Sequence, residues 1–295
     1  MSSKTNTTSF KDARFKNKVA VITGAGSGIG QQLAIQLAKK GCHLALADIS
    51  QAGLDKTQQL LAEVLSNDSD DSLDDNLDVK SAVKISLHIL DVADQAQMES
   101  FAVTIATEHG AANYLFNNAG VALGARIDAV SYADMHWLMN INYWGVIHGC
   151  TAFMPLLKQQ EVAHIINVSS VFGLFTTPYN GIYSASKFAV NGFTDALAQE
   201  LRETHINVSC AFPAGIKTDI AKSARMVADP DNNRSAKDLQ TTIEKLFWTS
   251  AEQAAQEILT GVTKNKQRIL VGKGATVMDI IRRLFPVNYS LFLKI

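Results

Sequence analysis

The stretch that decides the fold is KVAVITGAGSGIGQQLAIQLAKKG, residues 18–41. Residues 18–23 are rich in valine and isoleucine, which predicts a buried β-strand. Glycines follow at once, and the next residues carry leucine and isoleucine at helical spacing as far as Gly41, a residue typical of a helix C-terminus. The stretch therefore predicts a strand, a tight turn and a helix in direct succession.

The same alternation of short apolar strands and helices continues along the chain. Further strands are predicted at 43–48, 84–90, 113–117, 163–169, 206–212 and 268–272, and helices at 51–65, 94–109, about 131–158 and from Gly181 onward. Strands that alternate with helices indicate βαβ units, whose strands pair in parallel. We predict an α/β fold of Rossmann type: a doubly wound, seven-stranded, mainly parallel sheet with helices on both faces.

We expect residues 1–295 to form a single dinucleotide-binding and catalytic domain, because no stretch between the elements resembles a linker. Residues 1–17 are predicted to be a polar N-terminal extension, 216–250 an irregular region that covers the substrate, and 273–295 an amphipathic C-terminal tail. Residues 66–80 are rich in aspartate and are interpreted as a solvated surface loop. A calcium site is the alternative, but the stretch lacks the glycine and terminal glutamate of an EF-hand loop, so no metal site is predicted.

The composition is that of a folded chain with a sizeable core, with 47% hydrophobic and 19% charged residues. A formal net charge of -1 gives no reason to expect nucleic acid or an anionic membrane as the main partner. Cys42, Cys150 and Cys210 lie far apart in apolar segments, which indicates buried reduced thiols. Since neither a secretory signal nor a membrane span is recognisable, we expect a cytoplasmic location.

The turn TGAGSGIG, residues 23–30, has the context of a dinucleotide site, with a strand before it and a helix after it. Glycines allow close approach of the backbone to a pyrophosphate, whose charge a helix N-terminus favours. A purely structural turn is the alternative.

Asp48 ends the second strand, about twenty residues past the glycines, where a carboxylate can bind the ribose hydroxyls of adenosine. Capping of the next helix is the alternative for this residue. Its charge would repel a 2′-phosphate, and neither Ser27 nor the residues after Asp48 supply a compensating base. NAD is therefore predicted in preference to NADP. Asp91 and Asn117 end the next two strands at the same edge, and Asp91 is placed to meet the adenine amine.

The segment YSASK, residues 183–187, puts a tyrosine and a lysine on the same face of a helix. The pKa of a free tyrosine is about 10, and a nearby cation is expected to lower it by roughly 1 to 3 units. Tyr183 could then exchange a proton with an alcohol or carbonyl oxygen while the neighbouring carbon loses or gains a hydride. An exposed tyrosine beside a solvated lysine is the alternative.

Three further polar residues are candidates for the same site. Ser169 and Ser170 end the strand before the YSASK helix, so a serine hydroxyl there can hold the substrate oxygen; loop capping is the alternative, favoured for Ser169. Asn142 lies in the middle of a predicted helix, where asparagine has no propensity advantage. Its side chain either bonds a nearby carbonyl or anchors a chain of water molecules to Lys187.

Taken together, these segments resemble the short-chain dehydrogenase/reductase superfamily, specifically its single-domain branch with TGxxxGxG and YxxxK motifs. The resemblance is carried, in order and spacing across residues 18–218, by TGAGSGIG, NNAG at 117–120, Asn142, Ser170, YSASK and PAGIKT at 213–218. It implies that Tyr183 is the acid/base and that Ser170 polarises the substrate oxygen. It also implies that Lys187 holds the nicotinamide ribose and tunes Tyr183, and that Asn142 anchors a relay water.

The motifs and the resemblance also define a cofactor-binding set. Its members are Gly24, Ser27, Gly28, Ile29, Gly30, Asp48, Asp91, Val92, Asn118, Ala119, Gly120, Tyr183, Lys187, Pro213, Ile216 and Thr218.

One departure from the family pattern concerns the backbone after the sixth strand. The family usually has Pro-Gly where this chain has Pro213-Ala214 followed by Gly215. Alanine does not easily take a positive φ, so a small local difference in the backbone is expected.

A second departure is the tail, KGATVMDIIRRLFPVNYSLFLKI at 273–295, which continues where many family members stop. It combines apolar residues with Arg282, Arg283 and Lys294. We favour packing of this amphipathic segment on its own domain or on a second subunit. A membrane-surface helix and a substrate lid are the alternatives.

The activity predicted is that of an NAD(H)-dependent oxidoreductase that interconverts a secondary alcohol and a ketone. A partly apolar substrate is expected, because IAKSARMV at 220–227 and IEKLFW at 243–248 are candidates for the walls of its site. An NADPH-dependent carbonyl or 3-oxoacyl reductase is the alternative enzyme, which Asp48 and the long tail disfavour. A non-catalytic NAD-binding scaffold is a further alternative, which the presence of Tyr183 and Lys187 disfavours.

Subunit association is expected from the resemblance alone, since relatives commonly form dimers or tetramers. A homodimer or homotetramer would form through the long helices that begin near Ser131 and Gly181.

Overall fold

The computed structural model describes residues 14–67, 83–218, 220, 223–227 and 248–293. Most of the predicted N-terminal extension, nearly all of the aspartate-rich stretch and much of the region 216–250 lie outside these residues. Within them, the strands are β1 (Val19–Thr23), β2 (His43–Asp48), β3 (Ile85–Ile89), β4 (Tyr114–Asn117), β5 (Leu123–Gly124), β6 (Ala163–Val168), β7 (Ile206–Pro213), β8 (Ile216–Lys217), β9 (Arg225–Met226), β10 (Thr249–Ser250) and β11 (Arg268–Val271).

Seven of these strands form the central sheet, in the order β11-β7-β6-β4-β1-β2-β3. Every pairing described within this sheet is parallel. The order reverses between β1 and β4, which makes the carboxyl ends of these two strands the switch point where ligands bind in open α/β sheets. The predicted seven-stranded sheet is confirmed.

The helices of the described residues lie on both faces of the sheet. They are α1 (Gly28–Ala38), α2 (Gln51–Asn67), α3 (Gln95–Glu108), α4 (Tyr132–Met139), α5 (Gly145–Lys158), α6 (Gly181–Glu200), α7 (Ala251–Thr263), α8 (Ala275–Leu284) and α9 (Tyr289–Leu293). Helices α1, α2 and α7 share one apolar core, and α3, α5 and α6 share the other. Strand β1 is buried throughout and supplies Ala20 and Ile22 to the first core and Val21 to the second, as strand alternation requires.

The helix predicted at 131–158 is not uniform. A π-helical turn at Asn140–Trp144 joins α4 to α5, and Asn142 at its centre is completely buried. Such turns are often found at functional sites, because the extra residue redirects neighbouring side chains.

Two predicted polar segments, the N-terminal extension and the aspartate-rich stretch, partly belong to the packed structure. Phe15 is completely buried, with its ring centroid 5.0 Å from that of Tyr114. The first two residues of the aspartate-rich stretch continue α2 to Asn67 rather than starting a loop.

Two other expectations can be compared with the structure. Cys42, Cys150 and Cys210 are buried and free, and burial raises the pKa of each thiol to about 12. Within the described part of the chain, none of the helices has both the length and the apolar character needed to traverse a bilayer.

The backbone after β7 accommodates Ala214 by shifting the glycine conformation one position along. Gly215 has a φ of +56°, while Ala214 is buried and donates its N–H to the carbonyl of Val271 at 2.9 Å. The substitution of the usual glycine therefore leaves a left-handed residue available at the start of the covering region.

Candidate active site

A cavity of about 570 Å³ opens at the carboxyl ends of the central strands. Sixteen of the eighteen predicted site residues line it: Gly24, Ser27, Gly28, Ile29, Asp48, Asp91, Val92, Asn118, Ala119, Gly120, Ser170, Tyr183, Lys187, Pro213, Ile216 and Thr218. The two that do not are Gly30 and Asn142, which lie behind the wall. One cavity therefore brings together the glycine turn, the second-strand aspartate and the YSASK segment.

The glycine turn fits a pyrophosphate. Gly24 and Gly28 have positive φ values of 67° and 56°, and the side chain of Ser27 makes no capping hydrogen bond to α1. The first N–H groups of α1 therefore have no side-chain cap, and the helix N-terminus carries partial positive charge. Gly30 has a packing role, because a Cβ there would lie 2.2 Å from the carbonyl oxygen of Gly24.

Asp48 ties the end of β2 to the glycine turn. Its Oδ2 accepts the N–H of Gly26 at 2.9 Å, and its Oδ1 accepts the N–H of Ser50 at 2.9 Å. The cap of α2 is instead the hydroxyl of Ser50, which accepts the N–H of Gly53. Each carboxylate oxygen has a second lone pair, so Asp48 can still accept hydrogen bonds from ribose hydroxyls.

The segment after β3 forms the adjoining wall. Asp91 and Val92 both line the cavity, and Asp91 Oδ1 accepts the N–H of Ala93 at 2.9 Å. This bond fixes the turn that leads from β3 into α3 and leaves the carboxylate at the edge where an adenine is expected.

The segment after β4 is fastened to the end of β1. Asn118 donates its side-chain amide to the carbonyl of Thr23 at 2.9 Å, and the Thr23 hydroxyl accepts the N–H groups of Asn118 and Ala119. Gly120 follows in a crowded place, since a Cβ there would lie 3.1 Å from Asn142 Oδ1 and 3.4 Å from Lys187 Nζ. Glycine at this position lets the backbone pass close to Lys187.

Tyr183 and Lys187 lie one turn apart on α6 and both face the cavity. Lys187 Nζ is 5.9 Å from the centre of the Tyr183 ring and donates to the carbonyl of Val168 at 3.2 Å. Lys187 is only 3% exposed, and its burial lowers its pKa from 10.5 to about 8.

The expected lowering of the Tyr183 pKa by Lys187 is not what the structure shows. Burial raises the pKa of Tyr183, and the side chain of Ser170, as a hydrogen-bond partner, acts in the opposite direction. The physical reason is that Tyr183 is partly enclosed by apolar side chains, including Phe172 with a ring centroid 6.0 Å away. At neutral pH the phenol is therefore protonated in this structure.

The two serines at the end of β6 have different roles. The hydroxyl of Ser170 accepts the N–H of Phe172 at 3.2 Å, so the capping role favoured for Ser169 belongs to Ser170. Ser169 instead donates to the carbonyl of Lys187 at 2.8 Å. Because a hydroxyl has one proton and two lone pairs, the Ser170 proton is still available for a substrate oxygen or for Tyr183.

Asn142 adopts the structural arrangement considered for it. Its Nδ2 donates to the carbonyl of Val121 at 3.0 Å and to the Ser186 hydroxyl at 3.2 Å, and its Oδ1 accepts the N–H of Val121 at 2.8 Å. The side chain thus anchors the π-turn to the segment after β4, behind the cavity wall.

Several cavity residues were not predicted from the sequence. They are Ile49, Ser50, Leu90, Val121, Ala122, Leu123, Gly124, Ile141, Val168, Val171, Phe172, Asn180 and Gly215. A signal was present for Val121–Gly124, because this apolar run directly follows the NNAG motif at the ligand edge. Phe172 and Asn180 lie in irregular segments that have no distinguishing pattern.

The covering region contributes to the outer wall. Ile220, Ser223, Ala224 and Met226 of the IAKSARMV segment line the cavity. Strand β9 pairs with β5, and a Cβ on Gly124 would lie 2.5 Å from Met226 Cε. In the IEKLFW segment, residues 243–247 are outside the described residues, and Trp248 is not among the lining side chains.

Arg225 holds β9 in this position. Its guanidinium carbon lies 3.6 Å from the centre of the Trp137 ring, and its Nη1 donates to Asp134 Oδ1 at 2.6 Å. Hydrogen bonds from Ser131 and Arg225 lower the pKa of Asp134, which favours its charged form.

A parallel doubly wound sheet, a glycine turn with an uncapped helix N-terminus and a Ser–Tyr–Lys cluster define a dinucleotide-binding oxidoreductase. The family model for short chain dehydrogenase matches residues 18–228. The chain belongs to the short-chain dehydrogenase family and is an enzyme that acts on CH–OH groups. The recognition made from the motifs is thereby confirmed.

Individual relatives support this membership. The chain is 35% identical over 278 residues to SadH of Mycobacterium tuberculosis, covering 94% of each chain. It is 30% identical over 201 residues to a 3-ketodihydrosphingosine reductase of Bacteroides thetaiotaomicron, covering 68% of this chain and 65% of the relative. The crystal structure of a short-chain dehydrogenase/reductase from Burkholderia phymatum in complex with NAD is similar, with a TM-score of 0.78, 28% identity, and coverage of 95% of this chain and 96% of the other.

Proposed function

We propose that the protein is an NAD(H)-dependent oxidoreductase that interconverts a secondary alcohol and a ketone, with Tyr183 as the acid/base. The observation that carries this proposal is the shared cavity. Tyr183, Ser170 and Lys187 lie on its wall together with the glycine turn and Asp48.

NAD is proposed as the cofactor because of the side chains at its expected ends. The uncapped N-terminus of α1 would hold the pyrophosphate, and Asp48 would accept the ribose hydroxyls and repel a 2′-phosphate. The NAD complex of the Burkholderia phymatum relative supports the same choice. When bound, NAD supplies the hydride acceptor, or NADH the donor, for the carbinol carbon.

The residues of the chain supply the proton chemistry. The neutral phenol of Tyr183 donates its proton to a carbonyl oxygen during reduction, and the phenolate of Tyr183 accepts the alcohol proton in the reverse direction. The Ser170 hydroxyl holds that oxygen through its free proton. Lys187 is the buried cation nearest the Tyr183 ring, so it stabilises the phenolate formed after proton transfer.

The substrate we propose is neutral and largely apolar. The charged side chains among the described residues that line the cavity are Asp48, Asp91 and Lys187, all at the proposed cofactor positions. Leu123, Phe172 and Met226 make up part of the wall near the covering region. No described side chain there could pair with a substrate carboxylate or phosphate. The name of the Bacteroides thetaiotaomicron relative, a 3-ketodihydrosphingosine reductase, supports a ketone with a large apolar part as the substrate.

The direct test is Tyr183→Phe, which removes the proton donor and keeps the ring that packs on Phe172. Turnover is followed as the absorbance of reduced nicotinamide with a panel of secondary alcohols and ketones. We expect activity to fall by about 10²- to 10⁴-fold, while the dissociation constant for NAD, measured by tryptophan fluorescence, stays within about threefold.

The alternatives predict other results. A scaffold would bind NAD and show no Tyr183-dependent turnover with any member of the panel. A reductase that uses NADPH would show a lower Michaelis constant for NADPH than for NADH. Either result would overturn the proposal.

We further propose that the enzyme is a homo-oligomer joined through α4, α5 and α6. Tyr132 on α4, Trp144 in the π-turn before α5 and Phe188 on α6 are exposed, which is unusual for aromatic side chains of a monomer. Light scattering in solution measures the mass directly.

A further inference from the structure

The apolar face of helix α8 points away from the protein. Val277, Ile280 and Leu284, which share one face at positions i, i+3 and i+7, are 59%, 50% and 68% exposed. Asp279 on the opposite face is buried. An amphipathic helix normally buries its apolar stripe in the core, so the orientation of α8 is the reverse of that expected for packing on its own domain.

This orientation is fixed by contacts of the polar face. Asp279 Oδ1 accepts a hydrogen bond from Arg268 Nη2 at 2.8 Å, and its Oδ2 pairs with Arg283 Nε at 3.1 Å. Ala275 is buried, and Met278 packs against the same cluster of buried residues. Rotating α8 to bury its apolar face would break the pair between Asp279 and Arg268 of β11, so the exposed face is part of the folded structure.

The exposed side chains continue beyond α8 into α9. Seven of the fifteen large apolar side chains exposed among the described residues lie within this short segment. They form what we call the tail surface: Val277, Ile280, Leu284, Phe285, Val287, Leu291 and Phe292. So many exposed apolar side chains in one short segment are unusual on the surface of a monomer. They indicate a surface that is covered by a membrane or by another molecule.

The net charge of the tail distinguishes between a second copy of the chain and a lipid surface as the partner that covers the tail surface. Residues 273–295 contain four basic residues and one acidic residue, whereas the whole chain has a formal net charge of -1. Arg282 lies beside Tyr289, 4.9 Å from its ring centre, and Arg283 is largely exposed. A two-fold interface on this face would bring together two copies of a surface with a net positive charge, which is unfavourable at short range. An anionic lipid surface pairs with them and buries the apolar side chains.

The position of the tail relative to the cavity fits the same occupant. The Tyr289 ring packs edge-on against Phe175 at 6.2 Å, and its hydroxyl bonds the backbone of Thr176. Phe175 in turn packs on Phe172, a wall residue of the cavity. Tyr289, on the same short helix as Leu291 and Phe292 of the tail surface, is therefore two aromatic contacts away from the proposed substrate site.

We propose that the tail surface is a monotopic membrane-docking element that binds the surface of a bilayer containing anionic phospholipid. The apolar side chains enter the boundary between headgroups and acyl chains, and Arg282 and Arg283 lie at the level of the phosphates. The helices lie on the membrane and do not cross it. Docking does not depend on the reaction that the enzyme catalyses, so it is measured without turnover.

The experiment is flotation of the full-length protein with vesicles of phosphatidylcholine containing about one quarter phosphatidylglycerol, compared with phosphatidylcholine alone. The variant is Ile280→Ser combined with Leu284→Ser, two exposed positions whose change removes no buried contact. The matched control is Ile89→Ser, which removes a side chain that is 63% exposed on β3, at the opposite edge of the sheet from β11. The mass of each protein is also measured by light scattering without lipid.

We expect the wild type and Ile89→Ser to float with the anionic vesicles, and to bind neutral vesicles more weakly. The double variant should partition at least about tenfold less, because burial of either side chain alone is worth about one such factor. Absence of wild-type binding to the anionic vesicles would overturn the proposal, as would equal binding by the double variant. A smaller mass of the double variant without lipid would also overturn it, since the tail surface would then be a contact between subunits.

Discussion

Lys187→Met tests the energetics of the buried lysine at the centre of the site. Lys187 is 3% exposed, and its Nζ donates a hydrogen bond to the carbonyl of Val168. Its pKa falls from 10.5 to about 8, with loss of hydration as the main cause. A charged side chain whose pKa is lowered in this way destabilises the folded state whenever it is protonated.

The size of the effect follows from the pKa values. A difference of about 2.5 units between the unfolded and folded states corresponds to about 3 kcal/mol near pH 7. Between about pH 8 and pH 10.5 the unfolded chain binds more protons than the folded one, so the stability of the wild type rises with pH in this window. At about pH 9.5 the penalty has decreased to about 1 kcal/mol.

Methionine fills a similar volume and carries no charge. Near pH 7 we expect Lys187→Met to be more stable than the wild type by about 2 kcal/mol, since the lost hydrogen bond to Val168 offsets about 1 kcal/mol of the gain. At about pH 9.5 the two proteins should be equally stable to within about 1 kcal/mol. The variant should be inactive at both pH values.

The assay is equilibrium unfolding in urea, followed by far-ultraviolet circular dichroism at both pH values. The difference between wild type and variant is the quantity compared, because other buried groups titrate in both proteins. Cys210, which is coupled to Lys187, has a pKa raised to about 12 and remains a thiol throughout. Lys56→Met, at an exposed lysine of α2, controls for the loss of one charge. A difference that does not change with pH would refute the reasoning, as would a wild type that is the more stable protein near pH 7.

Two further predictions concern the cofactor and substrate ends of the cavity. Asp48→Asn removes the charge that repels a 2′-phosphate, so the preference for NAD over NADP should fall by about tenfold. Fluorescence titration with both cofactors measures this preference. An unchanged ratio of the two dissociation constants would show that Asp48 does not select the cofactor. Arg225→Ala removes the stacking on Trp137 that holds β9. Because a cation–π contact is worth about 1 kcal/mol, the Michaelis constant for the substrate should rise by about fivefold, while the Michaelis constant for NAD stays unchanged. A parallel rise in both Michaelis constants would contradict this role.

The central sheet could be predicted from the sequence because its strands are buried on both faces. The strand predicted at 18–23 is β1 (Val19–Thr23), and all five of its residues are buried. Such strands form continuous apolar runs, which stand out between helical segments. The residues at the ends of the strands followed from the same pattern, because parallel strands bring their carboxyl ends to one edge.

The π-turn at Asn140–Trp144 could not be predicted, because NINYW contains no residue that interrupts a helix locally. The turn is instead accompanied by a tertiary contact, the pair of hydrogen bonds between Asn142 and Val121. The direction of the Tyr183 pKa shift could not be predicted from the sequence either. Spacing along a helix identifies a neighbouring lysine, whereas desolvation depends on side chains such as Phe172 that come from elsewhere in the chain.

The orientation of α8 was unpredictable for a different reason. Its sequence shows which residues share an apolar face, but periodicity does not show whether that face meets the core or the outside. In the folded chain, Asp279 pairs with Arg268, which lies eleven positions earlier on β11. This pair turns the polar face of α8 inward and leaves its apolar face exposed.

The hydrogen bonds of Asn142 bear on how this residue affects the reaction. Both hydrogens of its side-chain amide are donated, to the carbonyl of Val121 and to the hydroxyl of Ser186, while Oδ1 accepts the N–H of Val121 and keeps a second lone pair. Its Oδ1 and Lys187 Nζ both lie close to Gly120, at 3.1 and 3.4 Å from the place that a Cβ on this residue would occupy. The hydrogen bonds of Asn142 therefore hold the backbone at Val121, directly after the glycine that lies against Lys187.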